Sequence, residues 1–161
     1  MDLFLSFEGR IARGRWWLGV IVLLLVMIGL NAMIAVLFGG GFIGSVLALL
    51  VTLAAFYPVL ALATKRLADR GKPPMPRLAF FYGPAVLMTF MSTFNIGYRP
   101  MSTPHMEGMP MGQAGATEVM VPGAFAGLVG LVALIAGIWA LVELGFLRGD
   151  AQDNAYGPAP Q

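Results

Sequence analysis

The sequence predicts an all-α membrane protein, a compact bundle of four transmembrane helices with both termini in the cytoplasm. Three observations carry that reading. Hydrophobic residues make up 58% of the 161-residue chain and charged residues only 11%, against about 25% charged in ordinary soluble domains. The apolar residues are gathered into runs of span length, and the cations stand at the ends of those runs. A globular chain this short has too much surface to keep such an apolar load away from water, so lipid is expected to cover it.

The first run, "WWLGVIVLLLVMIGLNAMIAVLF" from Trp16 to Phe38, has no charge. It exceeds the roughly 7–15 apolar residues of a secretory signal, so it is expected to remain as a span rather than be cleaved. The second, Phe42 to Thr64, is equally free of charge. The third runs from Leu78 to Tyr98. The fourth, from Pro122 to Leu147, holds one acid, Glu143, close to its end. Each meets the requirement of about 20 apolar residues for crossing about 30 Å of hydrocarbon. A helix is the open-chain form that satisfies its own backbone amides there. The whole chain, 1–161, is read as a single membrane domain with spans at about 16–38, 42–64, 78–98 and 122–147.

The connections differ in kind. "GGG" at 39–41 is a minimal turn that makes a tight hairpin of the first two spans. The segment 99–121, rich in Met, Gly and Pro, is expected to be irregular. The cations set the orientation. Arg10, Arg13, Arg15, Lys65, Arg66, Arg70, Lys72, Arg77 and Arg148 fall on one side, leaving only Arg99 of the ten on the other. By the positive-inside rule, the loop 65–77 and the tail 148–161 face the cytoplasm together with the N-terminus. Within the spans, Pro58 and Pro84 remove helical donors and are expected to kink their helices. Small residues at helical spacing, Gly123 with Gly127 and Ala133 with Gly137, suit close helix approach.

Three blocks at the cytoplasmic boundaries form a recognisable pattern: "FEGRIARGRWW" from Phe7, "KRLADRGKP" from Lys65, and "GDAQDNAYGPAP" from Gly149. In this order, around these spans, they resemble the bacterial inner-membrane family called domain of unknown function 805. Its pattern is F-x-G-R-x-x-R-x-x-[FW]-W, then R-L-H-D, then N-x-[YF]-G-x-x-P. The first and third blocks match throughout. The second departs, with Ala68 where the family has histidine and "PPMP" in place of Gly-Trp, so no role for that histidine carries over. The resemblance implies a multi-pass protein of the bacterial inner (cytoplasmic) membrane, with the loop 99–121 in the periplasm, and implies no activity.

The residues of these blocks have two readings. In one, Arg10 and Arg13, which share a face if helical, meet lipid phosphates while Trp16 and Trp17 anchor the span at headgroup depth. In the other, a cytoplasmic polar cluster forms: Arg10, Arg13 or Arg66 meets Asp69, and Asn154 and Tyr156 fold back from the tail. Glu143 is the one ionisable group inside an expected span. Such acids are often functional, but this one lies near the cytoplasmic end, within reach of Arg148 or a loop arginine. In the loop "MSTPHMEGMPMGQ", Met101, Met106, Met109 and Met111 surround His105, the only histidine. Thioethers and imidazole suit Cu(I) or Ag(I); a plain connector or a contact for a partner protein are the other readings.

The chain has no cysteine, which removes disulfides, thiolate metal sites and cysteine nucleophiles together. It carries no P-loop, dinucleotide fingerprint, HExxH or GxSxG. No enzyme activity and no cofactor are therefore expected. The net charge of +2 is not arranged for nucleic acid, since the cations are not interleaved with stacking aromatics. The expected function is a non-catalytic scaffold or accessory subunit among membrane components, its cationic rim binding anionic lipid headgroups. A membrane-protein partner or a homo-oligomer fits that role. The alternatives are an oligomeric channel or small-solute transporter using Glu143, and periplasmic metal binding through the Met/His loop.

Overall fold

A segment that is apolar on every face has no stripe to turn inward, and such a helix is stable only where lipid or protein surrounds it. The computed structural model describes residues 2–102 and 118–160. A short helix α1, Asp2–Leu5, leads into α2, Arg13–Phe38, and α3, Phe42–Asp69. Then come α4, Arg77–Thr93, strand β1, Tyr98–Ser102, strand β2, Glu118–Pro122, and α5, Ala124–Leu141. A π-helical turn, Val142–Phe146, continues α5 directly.

Among the described residues, three helices are long and apolar enough to cross a membrane: Arg13–Phe38, Phe42–Asp69 and Ala124–Phe146. The third expected span falls short of that. Its helix stops at Thr93, 17 residues from its start, although apolar residues continue to Tyr98. The stop is a Schellman ending. Asn95 takes a left-handed φ of 54°, Ile96 N–H donates to Met91 O at 2.8 Å, and Asn95 N–H reaches Ser92 O at 3.5 Å. Asparagine is the usual substitute for glycine at that position.

The expectation of an irregular connection at 99–121 is corrected at its two ends. β1 and β2 pair antiparallel, Tyr98 opposite Pro122 through Ser102 opposite Glu118, so a two-stranded ribbon joins α4 to α5. Gly123 N–H donates to Gly97 O at 2.8 Å where the ribbon meets the helix. A Cβ at Gly123 would lie 2.7 Å from that oxygen, so Gly123 serves this close approach.

The second expected span is corrected the other way. α3 runs five residues past Thr64, through Lys65, Arg66 and Asp69, and ends in a second Schellman motif. Gly71 has φ +64°; its N–H bonds Ala68 O, and Lys72 N–H bonds Leu67 O, each at 3.0 Å. Much of the supposed loop is therefore helix. α3 and α4 also continue through Pro58 and Pro84. The hairpin at 39–41 is as tight as expected, with Gly39 at φ +66°.

α3 packs against both α2 and α4, and α4 packs along α5, giving two helical hairpins joined at α3 and α4. α2 meets the second hairpin chiefly at the π turn. The apolar core accordingly sits at the end where that turn lies, around Trp16, Leu62, Leu67, Phe81 and Leu144, with Leu3 and Phe4 of α1 against it. Farther along, large side chains such as Leu25, Ile28, Leu131 and Leu134 face outward. Gly127 and Gly137 face open space rather than a neighbouring helix; the buried small residues of α5 are Ala126, Ala136 and Ala140.

Candidate functional site

Arg10, Arg66, Arg70, Lys72, Asp69 and Glu143 meet at the core end of the bundle. Arg66 sits on the last turn of α3 and is 1% exposed. A guanidinium has five fixed N–H donors and no acceptor, so burial demands several carbonyls or a carboxylate. Arg66 finds both. Its Nε donates to Leu144 O at 2.8 Å, Nη2 to Leu147 O at 2.6 Å and Nη1 to Ile11 O at 3.5 Å. Nη1 also pairs with Asp69 Oδ2, three residues on along the same face.

Asp69, 2% exposed, offers its other oxygen to Arg10, whose Nη2 lies 3.2 Å from Oδ1. Arg10 then gathers the tail. Its Nη1 donates to Gln152 O and Gly157 O at 2.9 Å, and its Nη2 to Asp150 O at 2.7 Å. Asp150 N–H returns to Asp69 O at 2.8 Å. Asn154 Nδ2 donates to Ala68 O at 3.0 Å, while Asn154 Oδ1 accepts the Tyr156 N–H. Gly149 passes so close to the Asp69 carboxylate that a Cβ there would overlap it.

A second acid closes the neighbouring corner. Glu143, 6% exposed, holds Arg70 Nη1 at 2.7 Å and Lys72 Nζ at 2.6 Å, both on the same Oε1. The partners are thus Arg70 and Lys72, not Arg148. The π turn explains why so many cations collect here. Its widened backbone leaves the last carbonyls of α5 without helical partners, at the negative end of the helix dipole. Five consecutive carbonyls receive side-chain donors: Glu143 from Arg70, Leu144 and Leu147 from Arg66, Gly145 from Trp17, and Phe146 from Arg13. Among the described residues, no buried side-chain nitrogen or oxygen lacks a partner.

The structure therefore brings together Arg10, Arg66, Asp69 and Asn154, and sets Glu143 beside them. Arg13 stays at the rim, exposed, with only a long 3.4 Å bond to Phe146 O. The Tyr156 side chain is a correction: it points outward, and only its backbone joins the tail turn. So is Trp16. It is 4% exposed and faces the core, because it sits one helical turn inside the chain's closed end. Trp17 is half-buried; its Nε1 donates to Gly145 O at 3.1 Å and its ring meets Phe146 edge-on. Met101 lies exposed on β1; His105, Met106, Met109 and Met111 lie outside the described residues.

Sequence reasoning missed Lys72, Gly145 and Gly149 as parts of this end. The glycines carried a readable signal, since each separates a helix end from a bulky group, but their neighbours are remote in sequence.

The chain matches the family described as protein of unknown function (DUF805) over residues 4–158. It belongs to that family. The DUF805 match takes in the first two boundary blocks and the third as far as Pro158, and the residues of these blocks converge in this structure on one end of the bundle. No curated protein and no solved structure matches the DUF805 chain. Chemically, the cluster is saturated: its carboxylates are held by cations and its guanidiniums by carbonyls. It fastens the ends of α2, α3, α5 and the tail to one another.

Proposed function

We propose that this DUF805 protein is a non-catalytic accessory protein of the bacterial inner membrane, spanning it four times. The basic end faces the cytoplasm, and its outer cations hold anionic lipid headgroups. α4 serves as the remaining span: 17 residues reach about 25 Å at 1.5 Å per residue, at the short end of the range for a crossing helix. The observation that carries the reading is the division of the cations. Arg10, Arg66, Arg70 and Lys72 are taken up by acids and carbonyls inside the protein. Arg13, Arg15 and Arg148 are exposed and have no acidic partner among the described residues.

This reassigns the lipid-binding role. Arg10 and Arg66 are structural, and the headgroup role rests on Arg13, Arg15 and Arg148. Each surface cation contributes about 1 kcal/mol toward an anionic leaflet. In vesicles of rising phosphatidylglycerol content, the wild type should gain thermal stability, and replacing those three arginines by glutamine should flatten the dependence. An unchanged slope would remove the headgroup role.

Orientation has its own test, made simple by a chain without cysteine. In intact cells, Val119→Cys should react with an impermeant maleimide and Ala151→Cys should not. The reverse pattern would turn the protein over. For the channel reading, ion or solute flux in proteoliposomes that disappears with Glu143→Gln would be the deciding result.

A further inference from the structure

Between the two hairpins runs an apolar cavity of about 400 Å³. One wall is the stripe Trp16, Val20, Leu23 and Met27 of α2; the opposite wall is Ala133, Gly137, Ala140 and Leu144 of α5. Each stripe covers about 16 Å of helix axis at 1.5 Å per residue, so the space is elongated along the helices. Its width comes from small side chains: Ala55 of α3, Ala85 of α4, and Ala133 and Gly137 of α5. A Cβ added at Gly137 would touch nothing within 4 Å. Ala133 and Gly137, whose spacing suits a helix-packing face, line a hollow instead.

We infer that this cavity holds one acyl chain of an anionic phospholipid, with its headgroup at Arg13. An empty apolar space of this size would forfeit dispersion contacts along every wall, and water does not fill cavities that offer it no polar partners. The surrounding medium is hydrocarbon. Because α2 and α5 meet chiefly at the π turn, the space between them is closed at the basic end and accessible from the side, where acyl chains lie. Charge complementarity selects the lipid. Arg13 stands one helical turn before Trp16, at the closed end, exposed and without an acidic partner among the described residues. Arg148 lines the same shallow crevice as Arg13, which Arg66, Asp69 and Asp150 also border.

The inference rests on the proposed membrane reading and adds a tail site to its headgroup site. To test it, the full chain is reconstituted in vesicles of phosphatidylglycerol and phosphatidylcholine, re-extracted in mild detergent, sized by chromatography, and its retained lipid quantified. The wild type should carry stoichiometric phospholipid enriched in phosphatidylglycerol. Gly137→Leu, which fills the hollow, should lower retention about tenfold, the factor given by about 1.4 kcal/mol of lost binding. Arg13→Gln should keep the phospholipid and lose the enrichment.

A second readout needs no variant. Brominated acyl chains should quench a fraction of the tryptophan emission that persists after extraction, since Trp16 lines the cavity. Wild-type protein free of phospholipid, retention unchanged in Gly137→Leu, an isoprenoid in place of phospholipid, or a second copy of the chain cross-linked through the cleft would each overturn the inference. Failure here with the phosphatidylglycerol dependence of stability intact removes the tail site alone. Loss of that dependence with lipid still retained removes the rim reading alone.

Discussion

The two ends of this bundle are held by different physics. At the basic end, α2, α3, α5 and the tail are joined by buried ion pairs and by guanidinium bonds to carbonyls. At the other end, α2 and α3 are linked by three glycines, with Val36, Leu37 and Phe42 facing outward, and α4 and α5 by a β-ribbon. Lipid gives apolar side chains no reason to prefer one another over hydrocarbon, so association inside a membrane depends on packing and polar bonds. Here the polar bonds lie at one end, and so does the buried core. The bundle is pinned across both hairpins at that end, whereas at the other end each hairpin is closed on itself.

Breaking the pin should produce the largest effect. Asp69→Asn keeps the shape of the side chain and removes the charge shared by Arg10 and Arg66. Unpairing buried charges costs about 3–5 kcal/mol, so reversible unfolding in mixed micelles should show a loss of that order. Gly149→Ala comes next. A methyl group there overlaps the Asp69 carboxylate, and overpacking of this kind costs about 1–3 kcal/mol. Trp17→Phe deletes the bond to Gly145 O and should cost about 1 kcal/mol. At the opposite end, Gly40→Ala meets nothing within 4 Å and has no positive φ; it should stay within about 0.5 kcal/mol of wild type. If Gly40→Ala proved as damaging as Gly149→Ala, the contrast between the ends would be gone.

Much of this architecture was legible in the chain. Long apolar runs mark α2, α3 and α5 because lipid sets a minimum length, and three consecutive glycines mark a turn because few other residues reverse a helix so abruptly. Helix ends were less legible, since hydropathy and helicity stop for different reasons. Charge at Lys65 ends an apolar run, but only Gly71 ends the helix; conversely, Asn95 ends a helix inside an apolar run. The stop signals, Gly71 before Pro73 and Asn95 before Gly97, were printed in the sequence and outweighed by composition. The cluster was legible as a set of residue types, and so was the meeting of Arg10 and Arg66 at Asp69. The carbonyl acceptors were not, because Arg10 meets carbonyls 142 and 147 residues away, and because a π turn decides which carbonyls stand open. No local pattern encodes either.

The tail's place in the cluster has a consequence for how the protein is made. Arg10 emerges early from the ribosome, yet its acceptors at Asp150, Gln152 and Gly157 are translated after every span. Until then its guanidinium has only Asp69 to hold. A chain cut short near residue 148 would lack those three acceptors and leave this polar seam unfinished.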